Sequence, residues 1–531
     1  MDRRTLLAIG LCFVIFLGWQ KLYLEPRAKD SARQATVIGQ SPQAAPEAQT
    51  APGNESKSFK SAKPTAEVAI ETKQITVSTG VAEVSNTNSL VSGWALKKYK
   101  AGKGEKAVDN ITLGTVTTQP HARAEEGQLA FDSAEFAYLA NVRGRLDVQG
   151  SEISWFYEDE NVRLTRKGTF SETKPYIDFT VTADFKNKAP AYAFLSVLHR
   201  APEKDDEAQD RQVVYWSNKA IERANVEDAK LIDIQNGVKW VGATSRYFLV
   251  SLINRAPTEP RGLVQPLDAK SARVSMVYPI SGKAISIPVR LYFGPKELDL
   301  LRSVEPTLDN TVDFGWFTVI AYPLLKVMKW FYDLFHNYGV SIILLTVLVK
   351  LLTYPLTYKS MKSMKEMAKL QPQLQKLREK HKDNKEALNK EMLTMMKSHG
   401  YNPMAGCLPI LIQMPVFFAL YRVLYGSIEL YQAPFMLWIQ DLSMKDPYYV
   451  TPVLLTVIMF VQQKMTPNTA TDPTQQKMMQ FMPVIFGVFM LTLPSGLTIY
   501  MLVNALTSII QQLIMNRKLD GRHATALAKV R

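Results

Sequence analysis

Hydrophobic positions along this chain change their period once, near residue 300. From about Glu71 to Gly294 or Pro295, apolar and polar residues alternate in short runs such as QITVSTGVAEVS, RLDVQGSEISWFYEDENVRLTRKGTF and YIDFTVTADF. That is the period of half-buried strands, and turn residues separate the runs. Many short strands at close spacing predict a β-sandwich. Beyond it, apolar runs dominate. Thr311 to Phe335 mixes Trp316, Tyr322, Trp330, Phe331 and Tyr332 with Lys326 and Lys329, a pattern that predicts a helix lying on a membrane surface; packing on the sandwich is the alternative. Gly339 to Tyr358, Leu408 to Tyr425, Tyr448 to Gln463, Phe481 to Leu493 and Gly496 to Ile514 follow as candidate spans. The last two are separated only by Pro494 and Ser495, which predicts a tight hairpin.

The first residues supply a sixth span. Arg3 and Arg4 precede LLAIGLCFVIFLGW, which suits a signal peptide or a signal anchor. Trp19, Gln20 and Lys21 follow with no small-x-small cleavage site, favouring the uncleaved anchor, and bulky Leu11 before Cys12 argues against a lipoprotein signal. Residues 26–65, rich in Ala, Pro, Gln, Ser and Lys without hydrophobic period, read as a flexible linker.

Between the first two spans after the sandwich lies a charged excursion. Lys359 to Asn402 holds eleven Lys or Arg against five Asp or Glu, which places it in the cytoplasm. Met361, Met364, Met367, Leu370, Leu374 and Leu377 recur at helical spacing, as do Leu388, Met392, Met395 and Met396, with a break around His381 to Asn384. This predicts a two-helix hairpin whose first arm Pro372 kinks or delimits. The Met stripe packs the arms together, or captures varied apolar partners.

The resulting organisation is an anchor at 1–25, a linker at 26–65, a β-sandwich at 66–310, an interfacial helix at 311–336, a second span at 337–358, a hairpin at 359–402, spans three to six at 403–515 and a basic tail at 516–531. Charge supports this topology. The tail carries Arg517, Lys518, Arg522, Lys529 and Arg531 against Asp520, whereas the loop Ser427 to Pro447, expected outside, carries Glu429, Asp441 and Asp446 against Lys445. The net charge of +14 is thus a matter of segments rather than a nucleic-acid signal, and no DNA partner is expected.

One residue violates the apolar pattern. Lys350 interrupts GVSIILLTVLVKLLTYPLTY, at a cost of roughly 2.5 to 3.5 kcal/mol on insertion scales. Snorkelling would have to reach an interface about 12 Å away; a polar cavity is the other reading. Thr346 lies one turn from Lys350, and Asn504, Ser508 and Gln511 or Gln512 share one face of the last span, so these groups can line one wet cavity or serve as interhelical hydrogen bonds. Gln413, Pro415, Pro452 and Pro483 make other spans polar or interrupted.

Familiar chemistry is missing. There is no Gly-x4-Gly-Lys-Ser/Thr loop, His-Glu-x-x-His pair or Gly-x-Ser-x-Gly elbow, so an ATP-driven pump or common intramembrane hydrolase is not expected, nor an enzyme or a cofactor. Cys12 and Cys407 suggest no disulfide or thiolate site, and His121 and His199 have no ligand-spaced partners.

TVDFGW (Thr311 to Trp316), YPLT (Tyr354 to Thr357), LQPQLQ (Leu370 to Gln375), NPMAGCLPILIQMPVFFALY (Asn402 to Tyr421), QAPFMLWIQDLSMKDPYY (Gln432 to Tyr449), DPTQQKMMQFMPVIF (Asp472 to Phe486) and PSGLTIY (Pro494 to Tyr500) together resemble the YidC branch of the YidC/Oxa/Alb membrane-protein insertases over nearly the whole chain. The resemblance implies a polytopic α-helical inner-membrane protein of six spans, five forming the insertase core, with a β-supersandwich periplasmic domain of the Gram-negative type and a cytoplasmic helical hairpin. It further implies a hydrophilic groove open to cytoplasm and lipid, containing Lys350, Thr346, Gln413, Asn504 and Ser508, and an apolar slide for substrate at Met414, Phe417, Phe489, Tyr500 and Met501. Nascent membrane proteins, the ribosome through the basic hairpin and tail, the Sec translocon and lipids are the implied partners. Two departures stand out: the groove cation is commonly arginine in the family and is lysine here, and Met501 stands where the best-known members have tyrosine. A small-solute transporter or channel built on Lys350 is the alternative function, and an anchored periplasmic chaperone a third; no inverted repeat of the transporter kind is evident.

Overall fold

The computed structural model describes residues 70–88, 91–100, 110–113, 127–200, 212–224, 231–268, 271–381, 391, 394–395, 408–465 and 473–528. The anchor, the linker, His121, Cys407, the hairpin turn and most of its second arm lie outside the described residues.

Strands from Thr72 to Pro295 pair antiparallel in three sheets. The first is a four-stranded meander of Thr72–Val77, Gly80–Ser85, Val91–Lys100 and Asn110–Leu113. A five-stranded sheet runs, in spatial order, Ile232–Ile234, Arg261–Asp268, Ser271–Pro279, Tyr192–Arg200 and Gln128–Phe131. Nine strands form the third, centred on Ala284–Pro295 paired with Tyr176–Phe185. Alternation in sequence becomes alternation in burial: in Val162–Phe170 every second side chain from Val162 is buried. One apolar core is shared by all three sheets. Trp94 of the meander meets Phe170 and Phe293 of the large sheet at 5.5 and 5.9 Å between ring centres, and Phe131 of the five-stranded sheet meets Phe185 edge-on at 5.2 Å.

Arg166 occupies an inward position of that strand and is wholly buried. Its guanidinium donates to the backbone and side-chain oxygens of Asn88 and to the Gly127 carbonyl at 3.3 Å, and it lies over the Trp155 ring. The Asn88 amide donates in turn to the carbonyls of Leu129 at 2.7 Å and Leu139 at 2.6 Å. One side chain thus ties the large sheet to the connection between the meander's second and third strands and to the entry of the five-stranded sheet. Burial pushes the guanidinium pKa down.

Helices follow as α1 (Leu298–Val304), α2 (Thr318–Phe335), α3 (Tyr338–Lys369), α4 (Gln371–Lys380), α5 (Leu408–Gly426), α6 (Val450–Met465), α7 (Pro473–Met490) and α8 (Ser495–Ala528). The surface helix begins later than the expected Thr311: 3-10 turns occupy Pro306–Thr311 and Gly315–Phe317. Gly315 sits at φ +60 there, with its N–H on Asp313 Oδ1. Ala321, Leu325 and Met328 give α2 a buried face, and Val319, Trp330 and Leu334 an exposed one. The boundary expected at Tyr358 is a change of side-chain chemistry and not of backbone, because α3 continues through Pro355 to Lys369. The break comes at Leu370, and Pro372 lies in the first turn of α4, where its missing N–H costs nothing.

By length and composition, Tyr338–Lys365 and Ser495–Arg517 are able to cross a membrane, and shorter apolar helices occupy Val450–Met465 and Gln480–Met490. Leu352, Val457 and Ile485 are among the large apolar residues they leave exposed, the side-chain chemistry that lipid accepts. Helices α6 and α7 approach closely at Gly487, where a Cβ would stand 1.9 Å from Thr456 Oγ1.

Because Arg166 joins three sheets, Arg166→Ala orphans the Asn88 and Gly127 acceptors and should cost about 3 kcal/mol or more. The expected outcome is a lowered unfolding temperature of the strand-rich part in thermal circular dichroism of the full chain; an unchanged transition would show that these bonds do not hold the sheets together.

Candidate functional site

Helices α3 and α8 pack side by side. Lys350 Nζ donates to Ser508 Oγ at 2.8 Å, and Ser508 Oγ donates to the Asn504 carbonyl at 2.7 Å. Gln511 Nε2 reaches back to the Lys350 carbonyl at 3.4 Å. Residues 504, 508 and 511 therefore form the face of α8 turned to α3, as three- and four-residue spacing requires. Gln512 points elsewhere: it is buried, and its amide donates to the Met465 carbonyl of α6 at 2.6 Å. That settles the choice between Gln511 and Gln512 which spacing alone left open.

An ammonium has three N–H donors, and Lys350, half-buried, commits one to Ser508. Among the described residues no carboxylate lies within ion-pair distance of it. Asn504 Oδ1 is buried with no hydrogen-bond partner among the described residues, an unspent acceptor about one turn from Ser508. The seam between α3 and α8 thus has both donor and acceptor capacity left over.

The other expected groove residues are placed differently. Thr346 is buried, and its hydroxyl bonds back to the Ile342 carbonyl at 2.6 Å within its own helix. Gln413 of α5 donates to the Tyr500 hydroxyl at 2.8 Å. Tyr500, expected on the slide, is only 1% exposed and belongs to the apolar core of the bundle. Met414 and Phe489 are 44% and 57% exposed, whereas Phe417 and Met501 are half-buried against that core.

Sequence reasoning singled out the loop between α5 and α6 for its charge but missed that its acids form a cap over the starts of α6 and α8. Asp446 accepts from Trp438 Nε1 at 3.0 Å, the Tyr448 N–H at 3.0 Å, and both the N–H and hydroxyl of Thr451 at 2.8 Å. Thr451 meets Thr498 of α8 at 3.1 Å. Asp441 Oδ1 accepts from the N–H of Gln432 at 3.1 Å and from the N–H and hydroxyl of Ser443 at 2.9 and 2.7 Å; burial pushes its carboxyl up, against the pull of those donors. The start of α8 is fastened to the same loop: Ser495 Oγ donates to the Asp441 carbonyl at 3.0 Å and the Gly496 N–H to that of Leu442 at 2.9 Å. An Asp four residues before the apolar run at Val450, with Thr451 following, was the legible signal of a helix cap.

Two family models match the chain: the YidC periplasmic domain over residues 68–327 and the 60Kd inner membrane protein over residues 330–522. A membrane protein insertase YidC of Geobacter metallireducens is 36% identical over 558 residues, covering 99% of this chain and 100% of that protein. The one from Maridesulfovibrio salexigens is 33% identical over 545 residues, covering 98% and 100%. A crystal structure described as an active YidC insertase with the first transmembrane domain resolved covers 83% of this chain and 92% of its own, at 18% identity and a TM-score of 0.37. On the sequence relatives, which run the full length of the chain, this protein belongs to the YidC family of membrane protein insertases, inner-membrane proteins with a periplasmic domain.

Proposed function

We propose that the chain inserts nascent proteins into the bacterial inner membrane by way of the Lys350 seam, without a nucleotide cycle. The observation that carries this reading is Lys350 itself, a cation in an apolar helix with one hydrogen bond to Ser508, no carboxylate partner among the described residues, and donors to spare. A short hydrophilic stretch of substrate enters from the cytoplasm and finds Lys350, Ser508 and Asn504, while its apolar neighbour moves along Met414, Phe417, Phe489 and Met501 into lipid. Apolar burial at roughly 25 cal/mol per Å² gives a span of several hundred Å² many kcal/mol to offset the polar crossing. The membrane potential contributes about 2.3 kcal/mol per charge per 100 mV, with a sign set by the charge moved. The proposed topology has six spans, the N-terminal anchor with α3, α5, α6, α7 and α8, and both termini in the cytoplasm. Thr346 supports the seam by packing rather than by contact with substrate. The Sec translocon is a proposed partner on family resemblance alone.

Reconstitution into protein-free liposomes with a short single-span substrate tests the cation. Lys350→Ala should lower the insertion rate about tenfold, equivalent to about 1.4 kcal/mol. Lys350→Glu should lower it further, and Lys350→Arg should retain most of it. Equal insertion by the parent, Lys350→Ala and Lys350→Glu would remove Lys350 from the mechanism.

The basic hairpin and tail are proposed to meet the ribosome, whose RNA is polyanionic. Co-sedimentation with ribosomes should weaken on truncation after Asn516 and again on deletion of residues 359–402, with the differences shrinking as salt is raised. Unchanged co-sedimentation would assign those charges to anionic headgroups instead.

A further inference from the structure

The joint between the periplasmic domain and the helical bundle is interlocked. Ile428, from the loop after α5, is buried within the sandwich core, with Tyr431 packed against it. In the opposite direction, Leu298 of α1 belongs to the core of the helical bundle. Arg246 donates from Nη2 to the Tyr425 hydroxyl at 2.6 Å and lies 4.1 Å over its ring, and the Tyr247 hydroxyl donates to the Tyr425 carbonyl at 3.3 Å.

Gln432 makes the most specific contact. Held at φ +57, it turns its side-chain amide onto the backbone of Lys100, at the end of the meander's third strand. Its Oε1 accepts from the Lys100 N–H at 2.9 Å and its Nε2 donates to the Lys100 carbonyl at 2.7 Å. This is the pairing that a neighbouring strand would offer. The Tyr431 hydroxyl reaches the same carbonyl at 3.3 Å. The backbone N–H of Gln432 meanwhile donates to Asp441, whose carbonyl receives Ser495 at the start of α8. Gln432 therefore bonds at once to the periplasmic domain, through Lys100, and to the cap, through Asp441.

We propose that the periplasmic domain clamps the cap shut over the outer end of the seam, with Gln432 as the positioning residue that transmits the hold, an inference that rests on the groove reading above. A bidentate pair is lost in Gln432→Ala, and an open state of the cap should then become about tenfold more populated, because local opening is governed by few such contacts. Arg246→Ala removes the hold at the neighbouring Tyr425 by an independent route and should act in the same direction.

The test uses the full chain with Cys12→Ser, Cys407→Ser and a reporter Asn504→Cys, labelled by an impermeant maleimide in spheroplasts from outside and in inverted inner-membrane vesicles from the cytoplasmic side. The expected result is labelling of the reporter from the cytoplasm only. Gln432→Ala and Arg246→Ala should each raise outside labelling about tenfold with cytoplasmic labelling unchanged. Gln432→Glu keeps the bond from the Lys100 N–H and gives up the one to its carbonyl, so it should lie between; it stands in for Gln432→Ala should that variant fail to fold. Outside labelling at the parent level in all folded variants would overturn the clamp. Absence of cytoplasmic labelling in the parent would count against the groove instead, and the clamp is then read from amide exchange at Leu442 and Gly496: faster exchange in Gln432→Ala or Gln432→Glu supports it, and unchanged exchange overturns it.

Discussion

A cation between apolar helices has to find its hydrogen bonds locally, and the contact of Lys350 with Ser508 sets where α3 and α8 stand against each other. Its depth is fixed from the cap. Asn337, just before α3, donates from Nδ2 to the Phe435 carbonyl at 2.9 Å, and Ser495 opens α8 with its hydroxyl on the Asp441 carbonyl. At Gly339 the first turn of α3 passes so close to Phe435 that a Cβ would stand 1.9 Å from its ring. Lys350 follows Asn337, and Ser508 follows Ser495, by the same thirteen residues. At 1.5 Å per residue both groups arrive about 20 Å below one loop. A slip of one residue in α3 would carry Lys350, and one in α8 would carry Ser508, about 100° round, separating the two groups.

Lysine rather than arginine suits this partner. The acceptor is a single hydroxyl oxygen, which a compact ammonium satisfies with one donor, whereas a guanidinium presents a planar fork matched to two oxygens. Among the described residues no carboxylate waits for such a fork. Charge and spare donors are what the site retains.

Much of this was legible in the chain and some was not, for physical reasons. Period-2 runs gave the strands of Thr72–Val77, Gly80–Ser85 and Tyr176–Phe185, because a sheet with one wet face imposes that period. Lys350 showed as a charge in an apolar run. Arg166 was visible in principle, since it occupies the inward parity of VRLTRKGTF, where its neighbours at two-residue spacing are apolar. By contrast, Gln432 and Lys100 are 332 residues apart, and no local pattern announces a single amide on a distant peptide. Tyr500 and Met501 were indistinguishable as slide residues in sequence, yet adjacent helix positions point about 100° apart; the first is buried on Gln413, while the second is half-buried.

The polar groups of the bundle also differ in what they have left to give. Where the cap meets the starts of α6 and α8 they satisfy one another: Asp446 holds Trp438 and Thr451, and Thr451 meets Thr498; at the other end of the cap Ser427 Oγ and Glu429 Oε1 are buried with no hydrogen-bond partner among the described residues, Glu429 lying 3.9 Å from Lys329 Nζ. Deeper along α8, among the described residues, Asn504 Oδ1 is unpartnered and Lys350 holds donors in reserve. In hydrocarbon, unspent capacity is costly unless water or a polar segment meets it, so hydration is favoured on the side of Lys350 and Asn504 and disfavoured around Asp446 and Thr498. From Lys350 to the first lysine beyond the apolar run, Lys359, the helix rises about 14 Å, against about 20 Å to the cap. A polar segment that reaches Lys350 from that side has crossed less than half of a hydrocarbon core about 30 Å thick, and the mutually satisfied groups around Asp446, Thr451 and Thr498 offer it nothing farther along α8. Insertion without translocation of the whole segment is what such an uneven distribution of hydrogen-bonding capacity favours.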